Sequence, residues 1–110
     1  MNTTVQNETL AKLAKLNDAA RSNAVNYTTT RGVLSLSEQT ISEIFSRVQN
    51  FTDFNEDNDP HGEHDFGSFT VDGDKVFWKI DYYSQDLKGW CEPLDPKCRR
   101  VLTIMLAEEY

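Results

Sequence analysis

The chain has 110 residues and a mass of 12.6 kDa; 38% of the residues are hydrophobic, 26% are charged, and the formal net charge is −7 at pH 7. That is room for a single domain over residues 1–110 and too little for two cores, in a composition that excludes a disordered chain. No apolar run approaches the ~20 residues of a membrane span, and the opening Met1-Asn2-Thr3-Thr4 carries no basic leader, so a cytoplasmic domain without membrane contact is expected.

The first element is a helix. Leu10, Leu13, Leu16 and Ala20 recur at steps of three and four, while Lys12, Lys15, Asp18 and Arg21 fall mostly on the opposite side. Asn7, Glu8 and Thr9 supply capping groups and Ser22-Asn23 ends the run. The result is about fourteen residues with an apolar stripe that needs a partner surface. Asn26 to Arg31 is rich in β-branched and aromatic residues and reads as a strand, broken by Gly32. A second helix follows. Ser35 and Glu38 have capping-box spacing, Ser37 competes as the cap, and Ile41, Ile44, Phe45 and Val48 form a stripe ending near Asn50.

Beyond an acidic loop the period changes to two. Phe66–Val71 is a strand, Asp72-Gly73 a hairpin turn, and Lys75–Tyr83 the return strand. Val76, Trp78, Ile80 and Tyr82 share one face of it; Phe77, Lys79, Asp81 and Tyr83 share the other, so both faces should be partly covered. Ser84–Lys97 is a loop containing Pro93 and Pro96. Arg99–Ala107 is apolar almost throughout, as suits a central strand. The order α-β-α-β-β-β predicts an α+β fold: an antiparallel sheet of three to four strands packed by two helices.

The negative charge is concentrated. Residues 53–86 hold ten acids against Lys75 and Lys79, while the segments on either side are close to balanced. Asp53, Glu56, Asp57, Asp59, Glu63 and Asp65 occur in thirteen residues without a Lys or Arg. Binding nucleic acid directly needs cations that displace phosphate counterions, which this stretch lacks. A basic protein surface is instead the expected partner, with clustered charge speeding the encounter. Trp90, a tryptophan in a polar loop, and Tyr83 are candidate aromatic anchors.

Other chemistries compete for the same stretch. His61, Glu63, His64 and Asp65 are metal-ligand types, yet no distant further ligand joins them and no metal or other cofactor is expected. Asp53, Asn55, Asp57 and Asp59 alternate as in a calcium loop, but Asn58 stands where glycine is needed and His64 where glutamate is needed. His64 between two carboxylates also suits a general base, with Tyr82 and Tyr83 orienting a substrate. The alternative to a binding protein is therefore a small metal-dependent or acid–base enzyme centred on His61–Asp65. A run of Asn, Asp, Pro and Gly is equally what a series of Asx turns looks like. Cys91 and Cys98 lack companions for a zinc site and read as free thiols, or as a disulfide pinning the loop.

Three blocks carry a resemblance: Asp57-Asn58-Asp59-Pro60-His61-Gly62-Glu63-His64-Asp65-Phe66-Gly67, Val76-Phe77-Trp78-Lys79-Ile80-Asp81-Tyr82-Tyr83, and Arg100-Val101-Leu102-Thr103-Ile104-Met105-Leu106-Ala107-Glu108-Glu109-Tyr110. They resemble a small bacterial family known only as a domain of unknown function. The likeness extends back to Leu16-Asn17-Asp18-Ala19, with the Cys91–Cys98 loop the least typical part. It implies carriage on plasmids, phages and integrated elements beside anti-restriction and other accessory genes, and brings no catalytic residues with it. For a small acidic protein in that setting, it implies an inhibitor of a host nucleic-acid-targeting defence complex, anti-CRISPR or anti-restriction, that occupies a basic surface.

Overall fold

In the structure, a computed structural model describing residues 3–23 and 26–110 with side chains from Asn7 onward, the chain runs through three helices and four strands. These are α1 (Thr3–Arg21), β1 (Tyr27–Thr29), α2 (Arg31–Leu34), α3 (Glu38–Gln49), β2 (Phe66–Val71), β3 (Asp74–Tyr83) and β4 (Arg99–Leu106), closed by a 3-10 turn over Ala107–Glu109. The α+β class holds, and the strand order is β1-β4-β3-β2. β2–β3 and β3–β4 pair antiparallel, but β1 pairs with β4 in parallel, so the sheet is mixed. A parallel partner needs a long crossover; two helices, the acidic loop and a hairpin separate these two strands.

Alternation along the sheet puts the core on one side. Val76, Trp78 and Ile80 of β3 face the same way as their β4 partners Leu106, Ile104 and Leu102. Over them lie Val33 of α2, Ile44 and Val48 of α3, and Phe51 just beyond α3. Ser37, not Ser35, caps α3, its Oγ accepting from the Thr40 N–H at 3.1 Å. The opposite face is not polar either. Phe66, Phe77 and Tyr110 meet ring to ring with centroids 5.3–6.3 Å apart, and Met105 is buried.

Two expectations needed correction. The strand expected over Asn26–Arg31 is shorter, Tyr27–Thr29, and Arg31 and Gly32 belong to α2, where the Gly32 N–H donates to Glu109 Oε2 at 3.1 Å. The same carboxylate accepts from Thr30 Oγ1 and the Leu106 N–H, so the C-terminal turn fastens the start of α2; the Thr30 bond foremost holds the Glu109 carboxyl below its ordinary pKa. The inward face of α1 also differs. It carries Leu13, Asn17 and Arg21, while Leu16 is 44% exposed. Both stripes obey helical spacing; the one chosen gives Asn17 and Arg21 buried partners on the sheet side.

The Asp72-Gly73 turn takes positive φ at both residues (50° and 83°), the mirror-image turn that suits a two-residue hairpin. Gly67 has a different reason to be glycine. A Cβ there would lie 2.4 Å from Trp78 Nε1 and 2.8 Å from Phe51 Cε1. Gly67→Ala is expected to overpack this spot and destabilise the fold by about 1–3 kcal/mol, read from urea unfolding.

Candidate functional site

The acidic loop is built from Asx turns. Asn55 Oδ1 accepts from the Asp57 and Asn58 N–H groups at 2.9 and 3.1 Å. Asn58 returns the contact, its Oδ1 accepting from the Asn55 N–H at 2.9 Å and its Nδ2 donating to the Asp53 carbonyl at 2.8 Å. Asp59 closes a second turn, its Oδ1 accepting from the N–H groups of Glu63 (2.9 Å) and His64 (3.1 Å). Gly62 and His64 take positive φ, 69° and 58°, reversing the chain into β2. His64 pays for that backbone with its side chain: the ring stacks on Phe54 with centroids 3.9 Å apart and planes 1° from parallel.

The loop is held at its base by α1. His64 Nδ1 lies 2.9 Å from Asp18 Oδ1, and Nε2 lies 3.7 Å from Asp59. The same Asp18 oxygen pairs with Arg21 at 3.0 Å. Arg21 is 5% exposed, with its guanidinium 5.2 Å from both the Phe54 and Trp78 ring centroids and Nη2 donating to the Phe51 carbonyl. Its Nε and Nη1 have no hydrogen-bond partner among the described residues, so the two ring faces add to the Asp18 carboxylate in stabilising the charge there.

Asn17 is the joint. Its side chain is fully buried. Nδ2 donates to the Glu63 carbonyl and to Tyr82 Oη, both at 2.9 Å, while Oδ1 accepts from Arg100 Nε at 2.7 Å. Arg100 in turn stacks on Tyr82 and donates through Nη2 to the Pro93 carbonyl at 2.6 Å. Burial pushes the Tyr82 hydroxyl up to about 12, so it stays neutral.

These contacts sort the six carboxylates into two groups. Asp53, Glu56 and Asp57 are exposed and form no salt bridge among the described residues. Asp59 is spent on the turn, with a side chain only 5% exposed. Glu63 and Asp65 hydrogen-bond to each other, and burial first, then neighbouring carboxylates, raises both pKa values.

Tyr83 and Trp90 are brought together, but elsewhere. They form a β-bridge beyond the end of the β3–β2 pairing, and Trp90 is 68% exposed. No hydrogen bond or ring contact joins them to the loop carboxylates among the described residues. His61 is exposed, and no group of three or more His, Cys, Asp or Glu is placed to hold a metal ion among those residues. Asn55 and Asp59 bond backbone amides, which occupies the oxygens a calcium loop would use. Cys91 and Cys98 are free thiols in contact with each other. Sequence reasoning missed Asn17, Asp18, Arg21, Phe54 and Arg100. A signal was present for two of them: Asn17 and Arg21 continue the i, i+4 line from Leu13.

The family model described as "Protein of unknown function (DUF3768)" matches residues 29–109, from the end of β1 through the C-terminal turn. α1 lies outside the match. No curated protein and no solved structure matches the chain.

Two substitutions probe this construction. Asn17→Ala leaves a buried carbonyl, hydroxyl and guanidinium N–H without partners and is expected to cost about 2–4 kcal/mol in urea unfolding. Glu63→Gln acts in the other direction. A raised carboxyl pKa means that the fold favours the protonated form, a contribution complete below the ordinary carboxylate range and lost as pH rises through the raised pKa. At pH 7 the neutral Gln, able to donate to Asp65, should therefore raise Tm by about 2–4 °C, with the gain shrinking toward pH 4.

Proposed function

The chain belongs to the DUF3768 family, whose function is unknown, and we propose that it acts by binding: a non-enzymatic inhibitor that occupies a basic surface of a host nucleic-acid-targeting defence complex. The observation that carries this reading is the set of exposed carboxylates Asp53, Glu56 and Asp57, without a salt bridge among the described residues, on a loop whose backbone is fixed by its own Asx turns. A rigid array of one charge sign loses little entropy on meeting a cationic groove, and it imitates what such a groove is built to hold. A CRISPR effector or a restriction subunit is a partner of this chemistry, and the choice over a general basic protein rests on the expectation that members of the family are carried by mobile elements.

The acid–base alternative finds less support. His64 has its Nδ1 on Asp18 and one ring face on Phe54, contacts that hold the loop to α1, and among the described residues no group of three or more His, Cys, Asp or Glu is placed to hold a metal ion beside it.

The test is an interference assay in cells carrying a defined CRISPR or restriction system, with the chain expressed alongside. Wild type should restore plating of a targeted phage. Charge reversal of the three exposed positions together, Asp53→Lys, Glu56→Lys and Asp57→Lys, should weaken inhibition about 100-fold while circular dichroism stays unchanged. Full inhibition by the triple variant would overturn the electrostatic reading. His64→Ala separates the alternatives: it should lower Tm yet preserve inhibition at permissive temperature, whereas an enzyme centred on His64 would lose activity outright.

A further inference from the structure

β2 is an edge strand whose outer side has no strand neighbour among the described residues. In the order β1-β4-β3-β2 its one strand neighbour is β3. The Ile80 N–H donates to the Asp65 carbonyl at 2.8 Å, which fixes the phase of the ladder. With the pairing of Gly67 to Trp78 and Phe69 to Val76, the backbone groups of residues 67, 69 and 71 turn toward β3, and those of Phe66, Ser68 and Thr70 turn outward. One of those outward groups has a described partner from another segment: the Thr70 carbonyl accepts from Arg47 Nη1 at 2.9 Å. Phe66-Gly67-Ser68-Phe69-Thr70-Val71 contains no charge, no proline and no bulge, the usual devices that keep an edge from pairing.

We infer that this edge pairs with β2 of a second copy of the chain, antiparallel about Ser68, joining two four-stranded sheets into one of eight. Three features of the strand fit a copy of itself. The outward residues 66, 68 and 70 meet the partner's 70, 68 and 66, so each outward N–H faces a carbonyl, that of Thr70 accepting from Arg47 as well. Side-chain volumes also complement across the axis: the bulky Phe66 lies opposite the partner's Thr70. Ser68 meets itself, small enough for close approach.

Charge complements as well. A recess of about 290 Å³ beside the edge is lined by Arg47, Phe51, Asp53, Ser68 and Phe69. Arg47 sits at the Thr70 end, while Phe51 lies against Gly67 and leads into Asp53 at the opposite end. An antiparallel two-fold therefore sets Arg47 of each copy toward Asp53 of the other, a closed, isologous contact. In the dimer Asp53 is therefore committed to the seam, and Glu56 and Asp57 at the loop tip are the carboxylates left for a basic partner, presented twice.

Sedimentation equilibrium from low-micromolar to near-millimolar protein tests this. Wild type should reach twice 12.6 kDa and no more. Ser68→Lys sets two like charges side by side on the axis without touching the β3 ladder, and should leave a monomer with an unchanged circular dichroism spectrum. Arg47→Glu should raise the dissociation constant about tenfold or more, and adding Asp53→Arg to it should recover the wild-type value by restoring the exchanged pair. A wild-type monomer throughout would overturn the inference, as it would if the edge serves another protein's strand. A dimer that survives Ser68→Lys, a charge swap without recovery, or growth beyond two copies would also overturn it.

Discussion

Everything at the acidic end of this molecule depends on one buried side-chain amide. Asn17 of α1 satisfies a loop carbonyl, a β3 hydroxyl and a β4 guanidinium at once. An amide in that position is stabilising only while all three partners are present, because each lost bond leaves a desolvated polar group behind. Helix, loop and sheet are thereby coupled: none can shift without stranding one of the others. Arg100 extends the coupling to Pro93, so the loop that carries Trp90 and the two thiols is tied to the same point.

The coupling explains how a carboxylate-rich segment remains ordered. Burial of Glu63 and Asp65 opposes their ionisation and is the main reason their pKa values are raised, with repulsion among Asp59, Glu63, Asp65 and Asp81 a smaller contribution. The offsetting contributions come from Asp59 as a double acceptor, from His64 against Phe54, and from Arg21 held between two rings beside Asp18. Asp59 is thus used to build the loop, Glu63 and Asp65 are partly buried against each other, and Asp53, Glu56 and Asp57 are exposed. Self-pairing at the β2 edge would place two such loops on one particle, where a second engagement gains from the first through effective concentration.

Regular elements were legible wherever burial followed a period. β2, the Asp72-Gly73 turn and β3 lie where alternation puts them, because cross-strand packing and turn chemistry are both local. The parallel pairing of β1 was not legible, since three residues carry no directional signal and the partner lies over seventy residues away. α1 was found, but its face was misjudged: hydrophobicity favoured Leu16, whereas the sheet offered partners to Asn17 and Arg21. The site shows the same limit. Composition marked all six carboxylates as equivalent, and the division between exposed and committed ones exists only once α1 is docked against residues 46 to 83 positions away.

The central claim is that the acidic loop is a pre-formed platform rather than a mobile tail. Backbone ¹⁵N relaxation of residues 53–65 in the isolated protein tests it most directly. Order parameters of about 0.85 through Asp57, equal to those of α3, are the predicted result. Values below about 0.6 across Asn55–Gly62, with those of β2 and β3 remaining high, would contradict it and leave the charge of this chain without the rigid display on which its proposed role depends.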